Sequence, residues 1–335
     1  MLKLLRYLLF PIVPIYYVVT WFRNKLYDFG IKKSVAYKLP VIAVGNLSVG
    51  GTGKTPMIEY LIRLLQSQNR LATLSRGYKR QSKGFVLADE NASAKSLGDE
   101  PFQFYKKFKN IRVSVDADRV HGISKLISLP NPPEVILLDD AFQHRKVKAG
   151  FYILLTAYDN LYFKDIVLPT GNLREPGSGA QRADVIIVTK CPTDLSEERK
   201  LEIVKRINPK AHQRVFFAQI AYAPYVINEH QKINLEDLID NKFTLVTGIA
   251  NPDPLVKHLK NLGLQFEHLN FKDHHEFSSD EIKMLQEKPL IITTEKDMVR
   301  LQSSFDDAKQ PLYLPIEMKI DGHQEFDALI SKFVK

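Results

Sequence analysis

The sequence is poor in the residues that form covalent cross-links or sulfur-based metal sites. Its 335 residues include a single cysteine, Cys191, which excludes an intrachain disulfide and a cysteine-rich zinc site and fits a reducing cytoplasm. It has no Gly-X-Y period, no heptad array and no repeat of about 20–50 residues, which excludes fibrous and solenoid folds. Apolar residues make up 44% of the chain and charged residues 25%, so we expect a folded protein of about two domains.

Acidic residues are almost absent from the first 40 positions, which hold seven lysine and arginine residues against Asp28 alone. These charges flank an uncharged apolar run at residues 7–22, which Pro11 and Pro14 interrupt. The run is shorter than the roughly 20 residues of a membrane-spanning helix, and no small-residue cleavage site of a signal peptide follows it. We interpret residues 1–38 as a basic apolar segment that docks on a membrane surface, with an ordinary buried helix as the alternative. No nucleic-acid-binding module accompanies the charge, so no nucleic-acid partner is expected.

Short apolar runs alternate with helical patterns from residue 41 onward. Helices are predicted over about 56–66, from near Pro101 and over 119–128. Strands followed by helices indicate an α/β fold with a mostly parallel sheet, here a P-loop NTPase-like α/β/α sandwich. The predicted buried strands lie at residues 41–44, 71–74, 111–115, 135–138, 152–155 and 185–188.

A second, smaller α/β set follows. Between two extended segments lie predicted strands at 243–247, 265–269 and 290–293 and predicted helices at 254–262 and 279–286. We infer a smaller α/β domain joined to the first by a two-strand linker. The predicted boundaries are a nucleotide-binding domain at 39–213, linker segments at 214–228 and 311–320, the smaller domain at 229–310 and a C-terminal helix at 321–335.

A glycine-rich turn follows the first predicted strand and leads into a helix, in the sequence VGNLSVGGTGKTP at residues 44–56. Successive N–H groups and the helix start suit a polyphosphate, Lys54 would reach the β- and γ-phosphates, and the Thr55 hydroxyl would bind Mg²⁺. The usual pattern has glycine where this chain has Ser48, and a chance Lys-Thr pair after a glycine-rich turn is the alternative. The predicted nucleotide-binding residues of this loop are Ser48, Val49, Gly50, Gly51, Thr52, Gly53, Lys54 and Thr55.

The second half of a nucleotide site is predicted at the end of the apolar run at residues 135–138. Asp139 and Asp140 follow that run, and phosphate-loop enzymes hold Mg²⁺ with a carboxylate at the end of a buried strand. A solvated pair of strand-end aspartates is the alternative. Together with the glycine-rich loop, the pair predicts binding of a nucleotide with magnesium.

Ten sequence blocks, spread in order over most of the chain, resemble the tetraacyldisaccharide 4′-kinase family, the lipid A 4′-kinases of Gram-negative bacteria. The blocks are VGNLSVGGTGKTP (44–56), LSRGYKR (74–80), GDEPFQ (98–103), DADRVHG (116–122), LDDAFQHR (138–145), LPTGNLREP (168–176), VTKCP (188–192), VTGIANPDP (246–254), FKDHHEF (271–277) and TTEKDMVRL (293–301). The resemblance implies ATP and Mg²⁺ as cofactors. It implies γ-phosphate transfer to the 4′-hydroxyl of a tetraacylated glucosamine disaccharide 1-phosphate, which gives lipid IVA. We expect a monomer bound peripherally, as a monotopic protein, to the cytoplasmic face of the bacterial inner membrane.

The resemblance also assigns candidate catalytic residues. Asp99, in GDEPFQ, would accept the proton of the acceptor hydroxyl, and a histidine of FKDHHEF would assist it. We map this histidine to His274, with His275 as the alternative. Taken alone, Asp99 reads as the N-cap of the helix near Pro101. Asp99, His274 and Lys54 form the predicted catalytic set, and because Asp99 and His274 belong to different domains, a closing cleft is expected.

Further candidates surround the phosphates. Arg119 and Arg174 would hold phosphate oxygens, since guanidinium groups form paired hydrogen bonds with them. Mg²⁺ usually takes only one or two carboxylates besides phosphate and water, so its candidate ligands exceed what it needs. These candidates are Thr55, Glu100, Asp139, Asp140 and Glu175, with weaker assignments near the nucleotide or the acceptor for Arg76, Tyr78, Gln143 and His144; Glu295, Lys296 and Asp297 either reach the cleft or cap a helix.

A membrane-associated nucleotide switch is the competing function, because it would share the phosphate loop, the strand-end aspartate and the lipid-facing segment. A kinase also needs an acceptor-side base and a second lobe, which GDEPFQ and FKDHHEF supply. The guanine-specific Asn-Lys-x-Asp element is absent, since VTKCP lacks its acidic residue. A nucleic-acid-dependent ATPase would need aromatic stacking motifs, which the sequence lacks.

Overall fold

Strands and helices alternate along the computed structural model, which describes residues 6–306 and 309–335. The first five residues of the predicted docking segment and residues 307–308 of the predicted smaller domain lie outside the described residues. The described strands are β1 (Val35–Ala36), β2 (Val41–Asn46), β3 (Leu71–Ser75), β4 (Val86–Leu87), β5 (Arg112–Val115), β6 (Val135–Asp139), β7 (Val147–Lys148), β8 (Phe151–Ala157), β9 (Val185–Thr189), β10 (Arg214–Tyr222), β11 (Tyr225–Ile227), β12 (Lys232–Asn234), β13 (Phe243–Thr247), β14 (Phe266–Asn270), β15 (Ile291–Thr294), β16 (Leu312–Leu314) and β17 (Ile316–Ile320). The described α-helices are α1 (Val13–Asp28), α2 (Lys54–Leu65), α3 (Ala94–Leu97), α4 (Asp99–Lys107), α5 (Arg119–Ile127), α6 (Glu197–Ile207), α7 (Asp253–Asn261), α8 (Ser279–Gln286), α9 (Glu295–Leu301) and α10 (His323–Val334).

A nine-stranded sheet in the order β17-β10-β9-β8-β2-β6-β3-β5-β4 organises the larger part of the molecule. Its seven inner strands are parallel, and the two edge strands, β17 and β4, are antiparallel to their neighbours. Both faces are covered: Ile42 and Val44 pack in one cluster with α2 and α10, while Val41 and Ala43 pack in another with α5. This two-sided burial explains the continuous apolar runs of the sequence, and the predicted α/β fold is confirmed.

A six-stranded sheet in the order β12-β11-β16-β15-β13-β14 organises the remainder. Strands β16, β15, β13 and β14 are parallel, and β11 and β12 are antiparallel additions. Its main core joins Leu245 and Ile292 of the sheet to Leu255 and Leu259 of α7. We call residues 225–314, as far as described, the small lobe, and the rest of the described chain the large lobe.

Two neighbouring segments connect the lobes. Strand β10 pairs antiparallel with β17 in the nine-stranded sheet, from Ala218 opposite Ile320 to Tyr222 opposite Ile316. The chain then enters the six-stranded sheet, where β11 pairs antiparallel with β16 at Ile227 and Tyr313. The two extended segments of the sequence therefore run side by side between the lobes.

The N-terminal helix lies on the surface. Pro11 belongs to a 3-10 turn at Phe10–Ile12, and Pro14 lies in the first turn of α1, where a helix needs no backbone N–H. Thr20 is the buried residue of α1, so the alternative of an ordinary buried helix is wrong. Within residues 6–306 and 309–335, no helix combines the length and the apolar character needed to cross a bilayer. The exposed apolar side chains of this segment are Tyr7, Leu8, Leu9, Phe10, Ile12, Ile15, Tyr17, Val18, Val19, Trp21 and Phe22.

Candidate active site

The phosphate loop (residues 48–55) joins the buried end of β2 to the start of α2. Gly53 precedes the helix with a left-handed φ of 86°, a conformation that glycine adopts without steric cost. Two side chains fix the loop from below: Asn46 Nδ2 donates to Thr52 Oγ1 at 2.8 Å, and Thr189 Oγ1 donates to the Thr52 carbonyl at 2.8 Å. The loop is therefore held in one conformation, with its exposed residues 49–51 at the surface of the cleft.

A second loop, which we call the bracing loop (residues 168–176), supports the phosphate loop from the side. The Val49 amide donates to the Asn172 carbonyl at 2.8 Å, and the Arg174 amide donates to the Leu47 carbonyl at 2.7 Å. Ser48, which replaces the usual glycine, is buried and forms an isolated β-bridge with Leu173. The departure from the usual pattern thus coincides with a backbone pairing that fixes the loop.

The bracing loop also forms hydrogen bonds with the N-terminal helical segment. Tyr16 Oη donates to the Arg174 carbonyl at 3.0 Å, and Asn24 Nδ2 donates to Glu175. Arg6 donates to the Gly171 carbonyl at 2.6 Å. A single loop therefore contacts both the surface helix and the nucleotide-binding loop.

Strand β6 delivers two aspartates beside the phosphate loop, because Asp139 pairs in register with Val44 of β2. Asp140 has a left-handed φ of 49°, and its carboxylate accepts from Arg174 Nη1 at 3.0 Å on both oxygens and lies 3.6 Å from Lys54 Nζ. Burial raises the pKa of Asp140, but the charges of Lys54 and Arg174 outweigh it and the pKa is lowered overall. Asp140 is thus an ionised partner for two cations.

Asp139 has the character of a cation ligand. It is 8% exposed, and its Oδ2 accepts from Ser75 Oγ at 3.3 Å, while the buried Oδ1 has no hydrogen-bond partner among the described residues. Burial, reinforced by the charge of Asp140, raises the pKa of Asp139 to about 6. A buried, unpaired carboxylate oxygen of this kind is stabilised by a bound cation.

These residues fit a magnesium ion that is shared with phosphates. In the described part of the chain no three histidine, cysteine or acidic side chains converge to enclose a metal by themselves. Mg²⁺ bound with a nucleotide needs only one or two carboxylates, so Asp139 and the half-buried Thr55 satisfy the requirement. Glu100 lies near enough for its charge to raise the pKa of Asp139 further.

Two residues of the small lobe, His274 and Arg300, contact Asp99 of the large lobe. Asp99 is the first residue of α4, and since Gly98 occupies the N-cap position, the Asp99 carboxylate makes no capping hydrogen bond. Its Oδ2 lies 3.1 Å from His274 Nδ1 and accepts from Arg300 Nε and Nη2 at 3.0 and 2.6 Å. Burial raises the pKa of Asp99, but the hydrogen bonds from His274 and Arg300 and the charge of Arg300 outweigh it and lower the pKa to about 2.

His274 lies among charged partners from both lobes. Lys296 Nζ lies 3.0 Å from His274 Nε2, while Arg300 Nη2 and Asp99 Oδ2 each lie 3.1 Å from His274 Nδ1. Lysine and arginine can only donate, so each ring nitrogen faces a cation, Nδ1 also faces a carboxylate, and these contacts select no single tautomer. Lys296 also pairs with Glu100 at 3.2 Å, and the Tyr78 ring packs edge-on against His274 at 5.9 Å.

His275 is directed elsewhere. It stacks on Phe271 and bonds Glu281 at 2.9 Å in the small lobe, so the structure brings His274, and not His275, to Asp99. The neighbouring TTEKD segment has two roles. Asp297 accepts from the Gly248 amide and from Thr294 Oγ1, which fixes the start of α9, whereas Lys296 reaches the cleft.

Glu175 does not lie where the sequence prediction put it. Its Oε1 accepts from Gln143 at 2.9 Å and from Arg182 at 2.7 Å, and its Oε2 accepts from Asn24. With both oxygens bonded and the side chain buried, Glu175 is a structural link of the bracing loop and not a member of the magnesium shell. Gln143 extends this link, since it also donates to the Asn46 carbonyl at 2.8 Å.

Arg119 lies beneath the strand-end aspartates. It is 3% exposed, its Nη2 donates to the Asp139 carbonyl at 3.4 Å, and its Nε has no hydrogen-bond partner among the described residues. The nearby Arg76 acts on Arg119 as a like charge, and burial lowers the pKa of His144, with the Arg119 charge as the second cause, to about 4. Asp139 and Asp140 act on Arg119 as opposite charges, so buried cations and carboxylates alternate on this side of the site.

Sequence reasoning did not identify Arg300 as a site residue, nor Lys190 beside the phosphate loop. Lys190 has a left-handed φ of 57°, and its Nζ lies 3.8 Å from the position a Cβ on Gly51 would take. Lys190 lies in the VTKCP block, which served only to exclude a guanine-specific element because it has no acidic residue. Neither residue stands in a spacing that indicates a site, because each reaches the cleft only through the tertiary fold.

Comparison with known proteins places this chain among lipid kinases. The family model described as Tetraacyldisaccharide-1-P 4'-kinase matches residues 5–335. A tetraacyldisaccharide 4'-kinase of Flavobacterium johnsoniae is 54% identical over 338 residues, which cover 100% of this chain and 98% of that protein. One from Bacteroides fragilis is 43% identical, covering 95% of this chain and 89% of that protein. The crystal structure of LpxK from Aquifex aeolicus in complex with ATP superposes with a TM-score of 0.81 at 31% identity, covering 99% of this chain and 100% of that one.

Proposed function

Since this chain belongs to the tetraacyldisaccharide-1-P 4'-kinase family, and is therefore an ATP-using kinase of lipid A biosynthesis, we propose which of its residues carry out the transfer. The reaction moves the γ-phosphoryl group of ATP to the 4′-hydroxyl of a tetraacylated disaccharide 1-phosphate. Such transfers depend mainly on positioning and on charge stabilisation of the phosphoryl group.

The phosphate loop, Lys54, Arg174 and Arg119 bind the phosphates in this proposal. Lys54 and Arg174 both form ion pairs with Asp140, and each can exchange this carboxylate for phosphate oxygens. Asp139, with Thr55 and with Glu100 nearby, would hold Mg²⁺, as its unpaired Oδ1 supports. When bound, the magnesium ion supplies positive charge to the phosphate oxygens.

Asp99 is the proposed base for the acceptor hydroxyl. The proton of the 4′-hydroxyl passes to Asp99 Oδ1 as the new O–P bond forms, and ADP departs with the electron pair of the broken bond. His274 supports Asp99 through Nδ1, which lies 3.1 Å from Asp99 Oδ2, and Lys296 contacts the opposite ring nitrogen. A carboxylate with a pKa of about 2 is a weak base, which is adequate because the loose transition state of phosphoryl transfer needs little proton removal before bond formation.

The exposed apolar side chains of α1 and the basic residues around them support peripheral membrane docking. We place the enzyme on the cytoplasmic face of the inner membrane, where ATP is available, with the acyl chains of the acceptor in the bilayer. Every residue of the proposed site comes from one chain, so we propose that it acts as a monomer.

The contact of Asp99 with His274 and Arg300 across the lobes carries this proposal. The test is ATP consumption with and without the acylated disaccharide, for the natural protein and Asp99→Asn. We expect lipid-dependent turnover that falls about 100-fold or more in Asp99→Asn, with ATP binding retained. The exposed Asp240→Asn is the matched control. Turnover indifferent to lipid, or an Asp99→Asn variant as fast as Asp240→Asn, would contradict the proposal.

A further inference from the structure

We propose that Arg300 is a positioning residue for the transfer, which orients Asp99 from across the cleft so that one carboxylate oxygen stays free for the acceptor hydroxyl. The inference rests on the proposed function, since it assigns how the base of that reaction is held. Arg300 belongs to α9 of the small lobe and Asp99 to α4 of the large lobe, 201 positions apart in the chain.

All contacts on Asp99 fall on the same oxygen. Arg300 donates to Oδ2 through Nη2 at 2.6 Å and through Nε at 3.0 Å, and His274 Nδ1 lies 3.1 Å from that atom. Within the described chain, no hydrogen bond falls on Oδ1. The two oxygens of the carboxylate are thereby made unequal: one is bound to the small lobe, and the other keeps its lone pairs.

The guanidinium of Arg300 is itself fixed. Its Nη1 donates at 3.2 Å to Oδ1 of Asp297, which is fully buried. Asp297 in turn accepts from the Gly248 amide at 2.9 Å and from Thr294 Oγ1 at 2.7 Å. The side chain of Arg300 is only 9% exposed, so its planar donor group has little freedom to turn.

A lysine would not reproduce this arrangement. The guanidinium presents two donors to one oxygen in a fixed plane, whereas an ammonium is a single point charge on a flexible stem. Orientation matters because a displacement of about 1 Å at a reacting group can cost about 100-fold in rate. The small lobe therefore controls the geometry of the base, and not only its charge.

The test is a double-mutant cycle on kcat with Arg300→Gln, Asp99→Asn and the pair combined. We expect Arg300→Gln to lower kcat by about 100-fold while the KM for ATP changes by less than about threefold, because the hydrogen-bond partners of Arg300 among the described residues are Asp99, Asp297 and His274, none of them in the phosphate loop. In the Asp99→Asn background, Arg300→Gln should cost much less, because two of the hydrogen bonds of Arg300 are to that carboxylate and its remaining cleft contact is His274 Nδ1 at 3.1 Å. Arg300→Lys should recover part of the loss and remain about tenfold below the natural protein.

Lys288→Gln, which removes a surface cation paired with Glu267 in the same lobe, is the matched control and should leave kcat unchanged. Thermal unfolding identifies any variant that fails to fold; Arg300→Lys, which keeps the charge, then carries the comparison. Three results overturn the inference: Arg300→Gln with unchanged kcat, Arg300→Lys equal to the natural protein, or an equal loss from Arg300→Gln with and without Asp99→Asn. If Asp99→Asn itself keeps full kcat, the proposed base is wrong, and this outcome is distinct from a failure of Arg300 alone.

Discussion

Asp140 holds two cations at the mouth of the phosphate loop, Lys54 at 3.6 Å and Arg174 at 3.0 Å. Lys296 pairs with Glu100 at 3.2 Å in the same way on the opposite side of the cleft. A carboxylate keeps a lysine or arginine side chain in position through charge-assisted hydrogen bonds. The same side chain can bind phosphate oxygens in place of the carboxylate oxygens. Binding of a polyphosphate at this site is therefore an exchange of anionic partners.

Substitution of Lys54 should affect the transfer more than the fold. In Lys54→Met the phosphates lose a positioned charge, so we expect kcat to fall by about 100-fold or more at saturating ATP. Asp140 keeps Arg174, so the loss of one partly buried ion pair should change the melting temperature by only a few degrees. Initial rates and thermal unfolding measure both. The exposed Lys125→Met of α5 is the control, and a Lys54→Met variant as active as that control would refute the assignment.

Single residues differ in how visible they are in the sequence. Lys54 and Asp139 could be predicted because a strand, a turn and a helix place them at fixed offsets within a few residues. Asp99 and His274 needed the family resemblance, since neither residue has a distinctive local pattern. Arg300 was missed because its partner is 201 positions away, and only the packing of two lobes brings them together.

Helix α1 presents a broad apolar surface that the rest of the protein leaves uncovered. Ile15 is 64% exposed and Phe22 is 56% exposed. The double variant Ile15→Glu/Phe22→Glu should weaken binding to anionic vesicles by at least tenfold, because two charges replace apolar side chains at the headgroup boundary. Its thermal stability should remain close to that of the natural protein, since neither side chain is buried.

Cosedimentation with vesicles at low and high salt checks this prediction. The control is Leu201→Glu on α6, which is 68% exposed and lies outside the docking segment. If the double variant pellets with vesicles as completely as Leu201→Glu does, the docking surface has been placed on the wrong element.

At the scale of elements, the sequence located one strand and one helix to the residue. Strand β13 and helix α8 have the predicted ends, because apolar runs or capping residues mark their limits. The two-residue strands β1 and β7 were not predicted, since they exist only by pairing with each other. The conformation around Pro11 and Pro14 was left open, because proline is compatible both with a helix start and with a break.

A buried charge cluster joins the two lobes behind the active site. Lys107 Nζ lies 2.7 Å from Glu59 Oε2 and 2.6 Å from Glu295 Oε1, and Gln103 donates to the same two carboxylates at 2.9 and 3.0 Å. Glu59 belongs to α2, which follows the phosphate loop, and Glu295 belongs to α9 of the small lobe. The cluster thus connects α2 and α4 of the large lobe to α9 of the small lobe, the helix that also carries Arg300.

This cluster should make stability depend on pH. Burial, and then the charge of Glu59, raises the pKa of Glu295 to about 7, against the opposing charges of Lys107 and Arg63. A carboxyl group with a raised pKa contributes its full stability below its ordinary pKa of 4.5 and loses it as the pH rises towards 7. Tyr313, on β16, also faces the cluster, but burial raises its pKa, which keeps it neutral in this range.

Glu295→Gln, which cannot ionise, should therefore melt higher than the natural protein at pH 8, by about 2 °C or more, and by less at pH 5. Melting temperatures measured across this range for both proteins test the prediction. Glu267→Gln, a surface carboxylate paired with Lys288, serves as the control and should give a difference independent of pH. A constant difference for Glu295→Gln as well would show that Glu295 does not titrate in this window.

The alternation of strands and helices predicted the α/β architecture with a mostly parallel sheet. The predicted linker segments at 214–228 and 311–320 form strands of the two sheets, with β10 and β17 in the nine-stranded sheet and β11 and β16 in the six-stranded sheet. The way the lobes meet could not be derived in advance. It depends on Lys107, Glu59 and Glu295. The sequence analysis assigned no role to Lys107 or Glu59, which resemble ordinary helix-surface positions, and expected Glu295 to reach the cleft or cap a helix.

The bracing loop connects the proposed docking helix to the nucleotide site. Tyr16 and Asn24 contact the same loop that supports residues 47–49, so in the proposed docking the bilayer plane and the nucleotide site would keep a fixed angle to each other. An acceptor anchored in the same membrane by its acyl chains would then reach the enzyme by lateral diffusion. The enzyme and the acceptor would then meet by diffusion in two dimensions. The rate of phosphorylation should therefore depend on the surface density of the acceptor in the membrane and not on its bulk concentration.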